Sequence, residues 1–185
     1  MPNVFQAFRD MEQTARMLSE DVIASYNLVE QISSPFAMRV YIRSVFTFIE
    51  GNTNAIQNLL LVANEQGSYA LSEEDRIALS EINVTIDSRG KASSRKAFVS
   101  VGAKFRFVFR LYASMVREPV EIKVSGAGWQ SFQKAIGIRN RITHPKSMEE
   151  FSVSEEDMVV VKTAFNWYAT EIMRMNGAFI VPDSP

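Results

Sequence analysis

Residues 4–32, VFQAFRDMEQTARMLSEDVIASYNLVEQI, decide the fold class, because their apolar side chains recur three and four apart. Phe8, Met11, Ala15, Leu18 and Val22 follow that spacing with polar residues between them, the pattern of an amphipathic helix. Ser33-Ser34-Pro35 then ends this helix and begins another. Ser34 has the side chain of an N-cap, and Pro35 suits the first helical position. The second helix is predicted over about Phe36 to Asn64, with Met38, Ile42, Val45, Ile49, Ile56 and Leu60 inward. Gly51 interrupts it at some cost and leaves room for another backbone to approach.

Working outward, Glu65-Gln66-Gly67-Ser68 reads as a turn, and Ser72 followed by Glu73, Glu74 and Asp75 opens a third, shorter helix. Asp87 to Ser94 reads as a polar connection. Phe105, Phe107, Phe109 and Leu111 alternate like a strand, yet Phe98, Val101, Phe105, Val108, Tyr112 and Met115 fit a helix over a longer span. Length decides for a helix from Phe98 to Val116. Pro119 ends it, and Val120 to Gly126 is an irregular link with room for a short strand. A further helix is predicted over about Gly128 to His144, stopped by Pro145. Ser154 with Glu155, Glu156 and Asp157 starts the last, which runs to about Met175 before Gly177. Trp129 and Trp167 read as interhelical or dimer-interface anchors. The tail from about 179 to 185 is expected to be loose, with Phe179 and Ile180 as docking residues. The expectation is an all-α, antiparallel (up-and-down) helical bundle of five to six helices, one domain over 1–185.

Composition narrows the function classes. Hydrophobic residues make up 46% and charged residues 22%, as in an ordinary globular chain. There is no cysteine, which excludes disulfides and cysteine-based metal sites or nucleophiles. With one histidine, only carboxylate metal sites are left, and no acidic spacing resembles a calcium loop. No metal and no cofactor are therefore expected. Met1 to Asp10 lacks a signal-peptide pattern and no window is apolar enough to span a bilayer, so a cytoplasmic protein without a membrane partner is expected.

The net charge of −1 conceals an asymmetry. Residues 1–87 carry 5 basic and 12 acidic side chains, residues 88–147 carry 13 basic and 2 acidic, and residues 148–185 carry 2 basic and 7 acidic. The middle segment is where a polyanion would be held. Alternatively, acidic and basic helices pack together and neutralise one another.

Within that segment lies Ile138-Arg139-Asn140-Arg141-Ile142-Thr143-His144-Pro145. His144 is the only histidine, the residue type whose ordinary pKa suits proton transfer near neutral pH. Asn140 precedes it by one helical turn, flanked by Arg139 and Arg141. An imidazole to move a proton, a guanidinium to neutralise phosphorus oxygens and an amide to orient them suit phosphodiester cleavage without a metal. The plainer reading is that His144 caps a helix C-terminus and the arginines pair with acidic helices.

This octapeptide resembles the signature of HEPN (higher eukaryotes and prokaryotes nucleotide-binding) domains: an arginine, a polar residue directly after it, and a histidine separated from the arginine by four to six residues. Arg43 to Gly51, RSVFTFIEG, is also similar to the second helix of some bacterial members. The resemblance implies a metal-independent endoribonuclease acting on single-stranded RNA, with a toxin or phage-defence role, a homodimer and a cognate antitoxin protein. His144 would be general acid or base, Arg139 would hold the scissile phosphate and Asn140 would orient. The RNA 2′-hydroxyl would attack, leaving a 2′,3′-cyclic phosphate. The alternative within the family is a non-catalytic module binding RNA, a nucleotide or a partner protein. Outside it stands a structural bundle whose motif merely caps a helix.

Supporting residues follow from the same segments. Glu50, among apolar neighbours, is expected either to position Arg139 or Arg43 or to be an ordinary exposed acid; Arg141 is a further supporting candidate. Arg95, Lys96, Lys104, Arg106, Arg110 and Lys146 are candidate RNA-phosphate contacts or simply solvated charges. Phe105, Phe107, Phe109 and Tyr112 could stack on bases, but their helical spacing favours the core.

Overall fold

The link of two residues after the first helix forces the next to fold back alongside it. Ser33 adopts left-handed backbone (φ 37°) and donates its N–H to Val29 O, while Ser34 Oγ accepts from Ala37 N at 3.2 Å. The result is a pair of long packed helices, α1 (Val4–Ile32) and α2 (Pro35–Glu65). The computed structural model describes residues 3–116 and 122–178. After α2 come α3 (Glu73–Leu79), a hairpin of β1 (Ile82–Ile86) and β2 (Ala92–Lys96), α4 (Val101–Met115), α5 (Gly126–Thr143), α6 (Met148–Phe151) and α7 (Glu155–Ala178). The chain is all-α in class, a bundle of seven helices among the described residues with one small hairpin.

α2 is the central helix, in contact with α1, α3, α4, α5 and α7. Ile42, Val45, Ile49, Ile56, Leu59 and Leu60 are wholly buried along it. A second centre is aromatic: Phe105 and Phe109 of α4, Trp129 and Phe132 of α5, and Trp167 and Tyr168 of α7 lie with ring centroids 4.4–6.4 Å apart. Such rings bury large apolar areas and gain further from edge and offset geometry. Both tryptophans are thus interhelical anchors within this chain. Two glycines let these layers close. A Cβ at Gly51 would meet the Leu18 side chain, so the space there admits a side chain of α1 and not the backbone expected. A Cβ at Gly128 would collide with the Trp167 indole.

The segment read as a polar connection, Asp87 to Ser94, is the turn and the start of the second strand of the hairpin. Its strands are antiparallel, with Ile82 opposite Lys96 and Ile86 opposite Ala92. Asp87 closes the turn by accepting from the N–H groups of Arg89 and Lys91, and Gly90 supplies φ +74°. Ile82-Asn83-Val84-Thr85-Ile86 alternates as a strand should, but its partner Ala92-Ser93-Ser94-Arg95-Lys96 carries no apolar pattern. All residues of both strands are exposed. The hairpin foot is tied by Ala97 N donating to Glu81 O at 2.7 Å and by Lys96 and Lys104 against the Glu81 carboxylate.

Three further boundaries differ from expectation. α4 starts at Val101 under the Ser100 cap, leaving Phe98 outside it and 94% exposed. The short α6 appears because Ser147 Oγ caps Glu150 N while Glu150 Oε2 accepts from Lys146 N. Of the link, residues 120 and 121 lie outside the described residues, and Ile122 to Val124 form no strand. The tail, 179–185 with Phe179 and Ile180, also lies outside them.

Candidate functional site

Arg139 occupies an unusual place for a cation. It lies four residues after buried Ala135 and three before buried Ile142, on the edge of the stripe that α5 turns to the core. Glu50 is placed alike on α2, between buried Phe46 and Thr53. Both side chains are half-buried, so each requires an opposite charge. Arg139 Nη2 and Glu50 Oε1 meet at 2.6 Å, with side-chain exposures of 24% and 35%. Oε1 is itself buried and is met as a charge contact without the alignment of a hydrogen bond. The other arm of the guanidinium, Nη1, donates to Asn140 Oδ1 at 3.0 Å.

The turn of α2 that carries Glu50 is fixed from behind. Ile49 O accepts from Thr53 Oγ1 at 2.7 Å and from the buried Tyr168 hydroxyl at 3.3 Å. Burial raises the Tyr168 phenol well above its ordinary pKa, so it holds its proton and acts as a donor.

His144 is the C-cap of α5. Its backbone N–H donates to Asn140 O at 3.0 Å, and Thr143 Oγ1 donates to Arg139 O at 2.7 Å. The imidazole is exposed and makes no hydrogen bond or ion pair among the described residues. The geometry therefore presents two unlike groups within the last turns of one helix: a guanidinium fixed by a carboxylate and an amide, and an imidazole open to solvent.

The remaining candidates divide. Arg43 does not meet Glu50; its Nη2 donates to Ile142 O at 3.3 Å, closing the carboxyl end of α5. Arg141 is turned the other way. It donates to Glu150 O at 3.1 Å and to Ser152 O, and pairs with Asp157 at 2.7 Å, clamping α5 to the start of α7. Lys104 is drawn to Glu81 and to Asn54 Oδ1, and Arg110 pairs with Asp75 at 2.7 Å. Lys96 lies 3.6 Å from Glu81 but is 83% exposed. Arg95, Arg106 and Lys146 are exposed, with no ion pair among the described residues. Phe105, Phe109 and Tyr112 are wholly buried and belong to the core, and Phe107 is half-buried.

Beside Glu50 opens a cleft of about 370 Å³ between α2, the hairpin foot and the start of α4. Asn54 and Phe98 line it, and neither stood out in the sequence. Ser100, the α4 cap, was the available signal that Phe98 lies before the helix. Among the described residues no three histidine, aspartate or glutamate side chains come together as metal ligands, and no helix is long and apolar enough to cross a membrane. Comparison with known proteins returns no match: no family model, curated sequence or solved structure is significantly similar to the chain.

Proposed function

We propose that this chain is a HEPN-type, metal-independent endoribonuclease that cuts single-stranded RNA. One observation carries the reading: Arg139 is held by Glu50 and Asn140 on the same helix end that presents His144 to solvent. Arg141, with the same charge one residue away from Asn140, is consumed in clamping helices. Of the two motif arginines, this leaves Arg139 as the one to hold phosphate in this reading.

In this mechanism the guanidinium donates to two non-bridging oxygens of the scissile phosphate, neutralising charge as the phosphorane forms. His144 takes the proton from the ribose 2′-hydroxyl while solvent protonates the departing 5′-oxygen, or His144 protonates the 5′-oxygen while solvent takes the 2′-proton. The 2′-oxygen forms a bond to phosphorus as the P–O5′ bond breaks, giving a 2′,3′-cyclic phosphate and a 5′-hydroxyl. Glu50 and Asn140 keep the guanidinium from swinging into solvent, which preserves the orientation on which the rate depends. The exposed imidazole leaves room for a second copy to complete a shared cleft, as the resemblance implies. A cytoplasmic toxin or phage-defence role, with a cognate antitoxin protein, belongs to the same reading.

A non-catalytic RNA- or nucleotide-binding module is the second reading, and the same ion pair favours it: a guanidinium already partly neutralised by Glu50 has less to offer the extra charge of a phosphorane than an unpaired one. Incubating the purified chain with single-stranded RNA in excess chelator separates the two. Cutting that His144→Ala and Arg139→Ala each abolish supports the enzyme; salt-sensitive binding without cutting supports the module; neither one removes both.

A further inference from the structure

Of the residues lining the cleft only Glu50 enters the mechanism above, and through its carboxylate the cleft adjoins the guanidinium of Arg139. Its rim and floor have distinct chemistry. Phe98 stands 94% exposed at the rim, although every other phenylalanine of the basic segment is buried or half-buried. An aromatic ring left so open in a segment rich in cations is a stacking platform for a base. Asn54 is exposed; its Oδ1 accepts from Lys104 Nζ at 2.6 Å, which turns the amide nitrogen into a free donor. Glu50 spends Oε1 on Arg139, and Oε2 has no partner among the described residues, so it is a free acceptor.

The charges of the hairpin, whose foot lines the cleft, argue the same way. The hairpin carries Arg89, Lys91 and Arg95, all exposed and without ion pairs among the described residues. The nearby acids are occupied: Asp87 by turn N–H groups, Glu81 by Lys96 and Lys104. A strand of phosphates can follow such an arm toward Arg139.

We propose that this cleft is the subsite for one base of the RNA strand, next to the phosphate at Arg139. In it Phe98 stacks on the base, the Asn54 amide donates to a ring carbonyl, and Glu50 Oε2 accepts from the neighbouring ring N–H. A carbonyl beside a ring N–H is the edge of the keto bases, uracil and guanine; adenine and cytosine lack the pair. The subsite rests on the RNA-cleaving reading, since it presumes a strand running across Arg139.

The test uses the full chain with His144→Ala, so that RNA survives, and 12-nucleotide single-stranded RNAs carrying one 4-thiouridine or 6-thioguanosine for photo-cross-linking. Cross-links are expected at Phe98 or its neighbours. In direct binding, RNAs of uridine should outcompete those of cytidine. Adding Phe98→Ala should weaken binding by about fivefold or more, and adding Asn54→Ala should erase the uridine preference while leaving the salt dependence intact. Phe98 is so exposed that its loss should not move the thermal midpoint. RNA binding with cross-links elsewhere, and with both variants unchanged, would overturn the subsite and leave the RNA reading standing. Failure to bind any of these RNAs overturns the two together.

Discussion

Glu50, in the middle of α2, reaches across to Arg139 near the end of α5 and holds its guanidinium at 2.6 Å. The contact has two opposed effects on a phosphate: it orients the cation and it partly cancels its charge. Glu50→Gln separates them. For RNA of cytidine, which lacks the ring N–H that Glu50 Oε2 would accept, affinity should not fall, because the competing anion is gone, while turnover should drop by roughly tenfold to a hundredfold as the guanidinium loses its seat. Single-turnover cleavage rates beside equilibrium binding measure both. A parallel loss of affinity would mean that the carboxylate does something other than position Arg139.

Arg141 should behave as a structural residue despite lying inside the motif. Arg141→Ala removes the Asp157 pair and two carbonyl contacts, and should destabilise the fold by about 2–3 kcal/mol. That corresponds to a fall of roughly 4–12 °C in Tm for a chain of this size. Arg141→Lys should restore little, since one ammonium cannot reach both carbonyls and the carboxylate in a fork. Thermal melting of the two variants beside His144→Ala, which should melt like the native chain, distinguishes clamp from exposed group.

Gly128→Ala places a methyl group against the Trp167 indole in the aromatic centre. Overpacking there should cost about 1–3 kcal/mol. Urea denaturation followed by tryptophan fluorescence reads the loss directly, because Trp167 and Trp129 belong to the disturbed cluster.

Alkaline stability should fall because of buried phenols. Burial, and secondarily Tyr26, pushes Tyr41 up to about 12, and burial also raises Tyr112 and Tyr168. A folded-state pKa above the unfolded value of about 10 means the contribution is complete below pH 10 and is lost as pH rises toward 12. For Tyr41 alone the swing is roughly 2–3 kcal/mol. Between pH 9 and 12 the unfolding free energy of the native chain should fall more steeply than that of Tyr41→Phe, which lacks this titration.

Helix existence was legible wherever a cap met a long apolar period. Ser34-Pro35, Ser72 and Ser154 each mark a helix start within a residue of where it lies. The hairpin escaped notice because its second strand has no buried face and so leaves no hydrophobic alternation to read. At the site, Arg139, Asn140 and His144 were visible as a local spacing. Which partner Glu50 would choose was not, because that depends on how α2 and α5 pack. The same limit separated Arg139 from Arg141: alike in type and two positions apart, they face different helices about 200° apart on an ideal α-helix. Phe98 was misplaced because its apolar character extends the α4 period by one turn, while only the Ser100 cap tells where the helix begins.

The central claim is chemical: an exposed imidazole and an anchored guanidinium cleave RNA through its own 2′-hydroxyl. Mass spectrometry of fragments made from single-stranded RNA in excess chelator tests it most directly. The account expects 2′,3′-cyclic phosphate and 5′-hydroxyl ends, absent with His144→Ala. Fragments bearing 3′-hydroxyl and 5′-phosphate ends, or cutting that persists without His144, would contradict it.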